Sequence, residues 1–104
     1  MTDPLQELLA ELEQFGASND QTISDRPRRM LNITRDTGEF LAVLVRATNA
    51  QRILEIGTSN GYSTLWLADA VRANNGSVTT IELSDFKYEL AYRNFARTDL
   101  TAFI

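Results

Sequence analysis

The alternation of apolar and polar residues is most informative between residues 52 and 71. A short apolar run, Ile53, Leu54 and Ile56, predicts a strand that is buried on both faces. Gly57 and Gly61 bracket a tight loop after it. Apolar residues then recur at helical spacing, at Leu65, Leu67, Ala68 and Val71. Strand, glycine loop and helix in this order bring backbone N–H groups and a helix N-terminus up to a ligand.

The first residues predict an amphipathic helix. Asp3 can cap it, Pro4 suits its first position, and Gly16 is placed to end it. Its apolar stripe consists of Leu5, Leu8, Leu9, Leu12 and Phe15. Residues 17–29 are polar and rich in turn formers, so they predict a loop, and the Arg26, Arg28 and Arg29 cluster is interpreted as a solvated turn.

A second helix is predicted over residues 36–47. Thr34 or Asp36 can cap it, and its buried face should consist of Phe40, Leu41, Leu44 and Val45. Further along, the pattern predicts strands over 52–57 and 78–83, a helix over 62–73, a fourth helix from Ser84 to about Arg97 with Tyr88, Ala91, Tyr92 and Phe95 inward, and the start of another strand at 101–104.

This order of elements predicts an α/β fold with parallel strands joined by a right-handed crossover. Parallel sheets normally have more than two strands and are covered on both faces. Two complete strands and the start of a third make the N-terminal half of a doubly wound sheet. The sequence therefore indicates either a piece of a longer protein or a chain that self-associates to cover what is missing.

Composition excludes several kinds of chemistry. The 104 residues suffice for one small domain, and 43% hydrophobic with 23% charged residues is typical of a globular protein. A net charge of -4 without a basic run argues against a nucleic-acid partner. The chain has no cysteine and no histidine, which removes thiol chemistry, the usual zinc ligands and the usual general base. No signal core or membrane-spanning stretch is found, so we interpret the protein as cytoplasmic.

Both common phosphate-binding fingerprints fail at the glycine loop. No lysine follows Gly61, as the phosphate loop of nucleotide triphosphatases requires. The dinucleotide fingerprint needs glycines where Ser59 and Tyr62 stand. Glu82 ends the next apolar run at about the distance expected of a ribose-binding carboxylate. A nucleoside with a smaller substituent than a pyrophosphate is therefore favoured over a dinucleotide.

At these residues the sequence resembles class I methyltransferases that use S-adenosylmethionine, in particular the catechol and caffeoyl-coenzyme A O-methyltransferase type. The residues that carry the resemblance are Leu-Glu-Ile-Gly-Thr-Ser-Asn-Gly-Tyr-Ser-Thr at 54–64, Thr-Ile-Glu at 80–82, and Leu31-Asn32-Ile33 with Gly38 upstream. The resemblance spans about residues 28–104, and the first helix adds little to it. It implies a Rossmann-like domain, with a helical lead-in at 1–50 and a cofactor-binding βαβα unit at 51–104.

The resemblance also implies a set of cofactor contacts. Backbone around Gly57 and Thr58 would contact the methionine part of S-adenosylmethionine, and Ser63 would hydrogen-bond its carboxylate. Glu55 would orient the loop or the cofactor's amino group, and Glu82 would bind the ribose. The full predicted set is Ile33, Glu55, Gly57, Thr58, Ser59, Gly61, Tyr62, Ser63, Glu82 and Leu83.

Several of these residues also have a purely structural interpretation. Ile33 and Leu83 could be core residues, Ser63 could be only a helix cap, and Glu82 could be a solvated strand end. The side chains of Tyr62 and Trp66 are better explained as packing than as substrate contacts. Glu55 is the exception, because burying a lone carboxylate inside an apolar strand is costly.

The acceptor chemistry of the resembled family lies after a later strand. Its metal-binding carboxylates and catalytic lysine have no counterpart here, since Lys87, Asp85 and Asp99 do not match them. We therefore assign no catalytic residue and no metal ligand to this chain, although the intact protein could use a divalent metal. The first hypothesis is the N-terminal part of an O-methyltransferase for a small hydroxylated molecule, with this chain alone inactive. The alternative is a non-catalytic module that self-associates through its open sheet edge.

Overall fold

The structure is a computed structural model that describes residues 3–104, with only the backbone of Pro27. Met1 and Thr2, the start of the predicted lead-in, lie outside the described residues. The elements in chain order are α1 (Pro4–Thr22), α2 (Arg35–Ala47), β1 (Arg52–Ile56), α3 (Tyr62–Arg72), β2 (Ser77–Ile81) and α4 (Asp85–Ala96), with short 3-10 turns at Arg26–Arg28 and Thr101–Phe103. The predicted α/β class is confirmed.

The two strands pair in parallel, as predicted, and α3 crosses over one face of the sheet. Ile53 lies opposite Val78, and Glu55 lies opposite Thr80. Val78, on the face towards α3, is only 2% exposed, which places this face in the core.

The prediction that β1 is buried on both faces is wrong within residues 3–104. Leu54 is 65% exposed and Ile56 is 73% exposed, and Ile81 beside Ile56 on β2 is also exposed. Side chains alternate between the two faces of a strand. A continuous apolar run therefore places apolar side chains on both faces, even where another element packs against only one of them. Here α3 covers one face, and no described element covers the other.

Helix α3 forms the centre of the core, with Leu65, Ala68 and Val71 fully buried. Helix α2 crosses it closely at Gly38, where an added Cβ would lie 2.5 Å from the Trp66 ring. This contact explains a glycine in the first turn of α2. Thr34 is the cap that α2 uses, since its side chain accepts a hydrogen bond from the Thr37 N–H at 3.3 Å.

The buried face of α2 was predicted only in part. Leu41 and Val45 pack against the core, but Phe40 is 63% exposed and Leu44 is 46% exposed. Ala42 is buried in their place. The close contact at Gly38 sets the rotation of the helix, and apolar spacing alone does not reveal that contact.

Helix α1 begins as predicted, with the Asp3 side chain accepting from the Leu5 N–H at 3.0 Å. It does not end at Gly16, and the prediction of a loop from residue 17 is wrong up to Thr22. Gly16 is buried inside the helix because the Asn32 side chain lies against it, where a Cβ would be 2.7 Å from Asn32 Nδ2. Phe15, assigned to the stripe, is 42% exposed.

Helix α4 begins at its predicted cap, Ser84, which accepts from the Lys87 N–H. Ala91 is buried and Phe95 packs on the core, as expected. Tyr88 and Tyr92 instead stack on each other on the outside, with ring centroids 6.5 Å apart. The predicted strand start at 101–104 is wrong, because Thr101–Phe103 form a 3-10 turn instead.

Candidate functional site

The glycine loop, residues 57–61, follows β1 at the carboxyl end of the parallel strands, where α/β folds bind ligands. It is tied back to the sheet at its first two residues. The N–H groups of Gly57 and Thr58 both donate to the carbonyl oxygen of Ile81, at 2.8 and 3.2 Å. The loop therefore stays close to the end of β2, and with it to Glu82.

The two glycines of the loop differ in what surrounds them, although both have left-handed backbone with φ of 94° and 93°. A Cβ on Gly61 would lie 2.5 Å from the Phe95 ring, so this glycine serves packing between the loop and α4. A Cβ on Gly57 would meet nothing within 4 Å. Gly57 therefore leaves open space beside the loop backbone, which a ligand can approach.

Glu82 holds the loop from the end of β2. One carboxylate oxygen accepts from the Ser59 N–H at 2.7 Å, and the other accepts from the Ser84 N–H at 3.0 Å. A carboxylate offers about four acceptor positions. These two bonds therefore leave capacity for further donors.

Glu55 is explained by three hydroxyl groups on the face towards α3. Its carboxylate accepts from Ser63 Oγ at 2.5 Å, from Thr80 Oγ1 at 2.8 Å and from Thr64 Oγ1. Burying a carboxylate is tolerated when it is hydrogen-bonded in this way. Glu55 thus joins β1, β2 and the start of α3 beneath the loop.

The same network reaches the loop itself through Thr58, which is 4% exposed. Thr58 Oγ1 lies 2.6 Å from Thr80 Oγ1. A threonine hydroxyl has one hydrogen, and that of Thr80 is directed to Glu55. Thr58 must therefore donate to Thr80, which gives a directed chain from the loop to the Glu55 carboxylate.

Ser63 lies in the first turn of α3, as expected, but its hydroxyl is engaged. Its single hydrogen points to Glu55 at 2.5 Å. In this conformation Ser63 can accept a hydrogen bond from a ligand but cannot donate one through its hydroxyl.

Tyr62 and Trp66 are buried and make packing contacts, in line with their structural interpretation. Tyr62 is 1% exposed, and its ring meets the Trp66 ring edge to face. Its hydroxyl donates to Glu13 Oε2 at 2.9 Å, and Arg35 donates to the same oxygen at 2.8 Å. Burial first, and then the bond to Glu13, raises the pKa of Tyr62 to about 12. Tyr62 therefore stays neutral at physiological pH, and its side chain is buried in the core.

Leu83 and Ile33, each interpreted as either a core residue or a ligand contact, differ in burial. Leu83 is 96% exposed and is not a core residue. Ile33 is partly buried and packs against the core.

Asn60 and Asn94 are loop-holding residues that the sequence reasoning missed. Asn60 is fully buried, its side-chain oxygen accepts from the Tyr62 N–H at 3.2 Å, and its carbonyl accepts from Asn94 Nδ2 at 2.8 Å. The Asn-Gly pair at 60–61 is a turn signal that could have directed attention to it. Nothing in the sequence around Asn94 indicated a link to the loop.

A cleft of about 670 Å³ lies between β2 and α4. Its lining includes Thr58 and Thr80 from the network described above, and Tyr88 and Tyr92 from α4. Within residues 3–104, no three Asp or Glu side chains come together in a way that could hold a metal ion. None of the helices in that range combines the length and hydropathy needed to cross a bilayer.

Comparison with solved structures defines the class of fold. The chain superposes on an O-methyltransferase from Bacillus cereus, solved in complex with S-adenosylhomocysteine (SAH). The TM-score is 0.71, with 33% identity over 96% of this chain and 40% of that one. The chain also superposes on the O-methyltransferase TomG from Streptomyces achromogenes, solved in complex with S-adenosylmethionine (SAM), with a TM-score of 0.70 and 29% identity over 99% of this chain and 41% of that one. The predicted Rossmann-like α/β fold, of which this chain forms a part, is confirmed.

The chain belongs to the O-methyltransferase family, whose family model matches residues 2–104. It is 36% identical over 72 residues to a catechol O-methyltransferase of Niastella koreensis, covering 69% of this chain and 32% of that protein. It is 40% identical over 65 residues to one of Mycobacterium tuberculosis, covering 62% and 29%. The family resemblance stated from the motifs is confirmed, but its limit at residue 28 was too narrow, because the match includes α1. The chain spans about a third of these relatives' length.

Proposed function

We propose that this chain supplies the S-adenosylmethionine cradle of an O-methyltransferase that acts on a hydroxyl of a small molecule. The observation that carries the proposal is the glycine loop at the end of β1, tied by Ser59 to Glu82 at the end of β2 and open beside Gly57. The SAH and SAM complexes of its structural neighbours support the choice of ligand.

The residues present fit such a cofactor. Open space at Gly57 would let the methionine part lie against the loop backbone at Gly57, Thr58 and Ser59. The two free acceptor positions of Glu82 suit the two ribose hydroxyls. Leu83, exposed beside Glu82, would offer an apolar surface to the adenine, and Ile33 would pack over the cofactor.

The roles of the remaining residues follow from their contacts. Because the Ser63 hydroxyl is engaged with Glu55, the cofactor carboxylate would be met by backbone N–H groups at the positive end of α3. Glu55 would act by holding the loop rather than by touching the ligand. Gly61 and Tyr62 would shape the loop through packing.

When bound, the cofactor supplies a methyl group on a positively charged sulfur. This chain's own residues would bind and orient it, which is where much of the rate of such a displacement arises. We assign no acceptor-binding or proton-accepting residue to the chain. The methyl acceptor, and a divalent metal if one is used, would be held by parts of the intact protein that match the rest of the relatives' length.

The proposal is tested by calorimetric binding of SAH to the 104-residue chain, with NAD as the comparison ligand. We expect SAH alone to bind, and to stabilise the chain by about 2.7 kcal/mol at 100 times its Kd. Glu82→Ala should abolish binding, whereas Asp85→Ala, which removes an exposed carboxylate three residues away, should not. Equal binding of SAH and NAD, or none of either, would refute a specific cradle in this chain.

A second candidate function, self-association, is favoured by the uncovered sheet face. Within residues 3–104 the uncovered sheet face carries an exposed apolar patch formed by Leu54, Ile56 and Ile81. Exposed apolar patches of this kind mark interaction surfaces. Sedimentation of the chain at increasing concentration tests this candidate. A concentration-dependent dimer that Ile56→Lys dissociates would support it, and a monomer throughout would exclude it.

A further inference from the structure

One residue of the glycine loop and one residue near it adopt left-handed backbone although neither is glycine. Leu31 has φ of 51° and Ser59 has φ of 52°. Such a conformation is strained for a residue with a side chain, so it persists only where the surrounding structure holds it. Each of these residues therefore needs a partner that fixes its backbone.

The partner of Leu31 is Asp20, in the part of α1 that lies beyond Gly16. One oxygen of Asp20 accepts from the Met30 N–H at 2.7 Å, and the other accepts from the Leu31 N–H at 2.8 Å. Asn19, one residue earlier, donates from its side chain to the Arg28 carbonyl at 2.9 Å. The end of α1 thus holds two successive backbone amides and the residues that lead up to them.

The residues held by Asp20 are joined directly to the glycine loop. The hydroxyl of Ser59 donates to the carbonyl oxygen of Met30 at 2.8 Å, and the Met30 side chain is 1% exposed. On the other side of the same segment, Asn32 lies against Gly16 of α1. Met30 to Ile33, which we call the 30–33 segment, is therefore fixed between α1 and the loop.

We propose that Asp20 is a positioning residue for the cofactor site: by accepting from Met30 and Leu31 it fixes the 30–33 segment against Ser59, and so sets cofactor affinity without touching the cofactor. This inference rests on the proposed function only for the identity of the ligand. The clamp itself concerns atoms within this chain.

The ionisation of Asp20 agrees with this geometry. Burial alone would raise its pKa, but the N–H groups of Leu31 and Met30, the Asn19 side chain and the charge of Arg29 together hold the pKa below its ordinary value. Asp20 is therefore a carboxylate at neutral pH, able to accept both backbone bonds.

The test compares Asp20→Ala, Asp20→Asn and the control Asp25→Asn in the 104-residue chain. Asp25 is an exposed carboxylate close in sequence whose nearest cation, Arg28, is 3.9 Å away. Amide hydrogen exchange by NMR follows Met30, Leu31 and Ser59, and calorimetry gives the SAH Kd. Because Asp20→Ala removes the charged acceptor of both N–H groups, we expect roughly tenfold faster exchange at Met30 and Leu31 and roughly tenfold weaker SAH binding, which corresponds to about 1.4 kcal/mol.

Asp20→Asn keeps one acceptor oxygen and should fall between wild type and Asp20→Ala, while Asp25→Asn should match wild type. A merely structural role would speed exchange throughout the chain and leave the Kd of the folded protein unchanged, and that result would overturn the proposal. Unchanged exchange at Met30 and Leu31 would overturn it as well. If wild type binds no SAH, the proposed function fails for this chain, and local exchange at Met30, Leu31 and Ser59 still decides whether Asp20 holds the segment.

Discussion

The glycine loop and the 30–33 segment are held by the same device. In each, a residue with left-handed backbone donates its N–H to a carboxylate: Ser59 to Glu82 at 2.7 Å, and Leu31 to Asp20 at 2.8 Å. Each carboxylate also accepts a second backbone N–H, from Ser84 or from Met30. The bond from Ser59 Oγ to the Met30 carbonyl joins the two.

The glycine loop and the 30–33 segment differ in the elements that support them and in how readily the sequence predicts them. The loop belongs to a βαβ unit whose strands, glycines and carboxylate follow one another at recognisable spacing. The 30–33 segment depends on the end of α1, and no sequence-spacing rule connects Asp20 to Leu31. Two elements of similar physical importance therefore differ greatly in how well the sequence reveals them.

The largest expected effect is at the loop, from Gly61→Ala. The added Cβ combines left-handed strain with overlap onto the Phe95 ring, so the free energy of unfolding should fall by about 3 kcal/mol in urea denaturation. Gly57→Ala, with the same φ and free space, should cost only the strain, about 1–2 kcal/mol. Equal losses in the two variants would show that packing against α4 does not matter.

The next effect separates the two carboxylates by their expected contact with ligand. Glu82→Gln replaces one acceptor oxygen with a donor group that faces a backbone N–H, and it also weakens the proposed ribose contact. SAH affinity should fall by about 30-fold, or roughly 2 kcal/mol, as measured by calorimetry. This loss should exceed that of Asp20→Asn, which acts through the 30–33 segment. A larger loss in Asp20→Asn would reverse the assignment of direct and indirect roles.

A smaller effect probes the hydroxyl chain that supports the loop from below. Thr80→Val keeps the shape of the side chain but removes the link between Thr58 and Glu55. The free energy of unfolding should fall by about 1 kcal/mol in urea denaturation. Thr79→Val, on the exposed face of the same strand, is the matched control and should change little. No difference between the two would mean that the hydroxyl chain contributes nothing.

The smallest expected effect is on the pH dependence of stability, and it arises from Asp20, which holds the 30–33 segment. Because the folded-state pKa of Asp20 is lowered, its stabilisation is complete above the unfolded pKa of about 3.9 and is lost as pH falls through the folded value. The difference in Tm between wild type and Asp20→Asn should be constant above about pH 5 and should shrink below about pH 4. A difference that persists undiminished to about pH 2 would contradict the role of the Asp20 charge.

The sequence correctly predicted features that depend on residues close together in the chain. The glycines at 57 and 61, the caps Asp3, Thr34 and Ser84, and the parallel pairing of β1 and β2 follow from rules that act within a few residues or one βαβ unit. The family was recognisable from the motifs at 54–64 and 80–82, together with Leu31-Asn32-Ile33 and Gly38 upstream.

Prediction from sequence failed where distant contacts override local preference. Gly16 resembles a helix stop, yet the contact with Asn32 keeps it inside α1, and this extension brings Asp20 to the 30–33 segment. Phe40 and Leu44 fit an apolar face, but the contact between Gly38 and Trp66 turns them outward.

The sequence by itself determined the class of fold, the family and the loop, because glycine conformation, capping and strand–helix alternation are properties of short stretches. Only the tertiary structure decided which backbone N–H groups donate to which carboxylates. Asp20 and Met30, or Ser59 and Glu82, are ten or more residues apart, and their hydrogen bonds form only after α1, the loop and the strands have packed together.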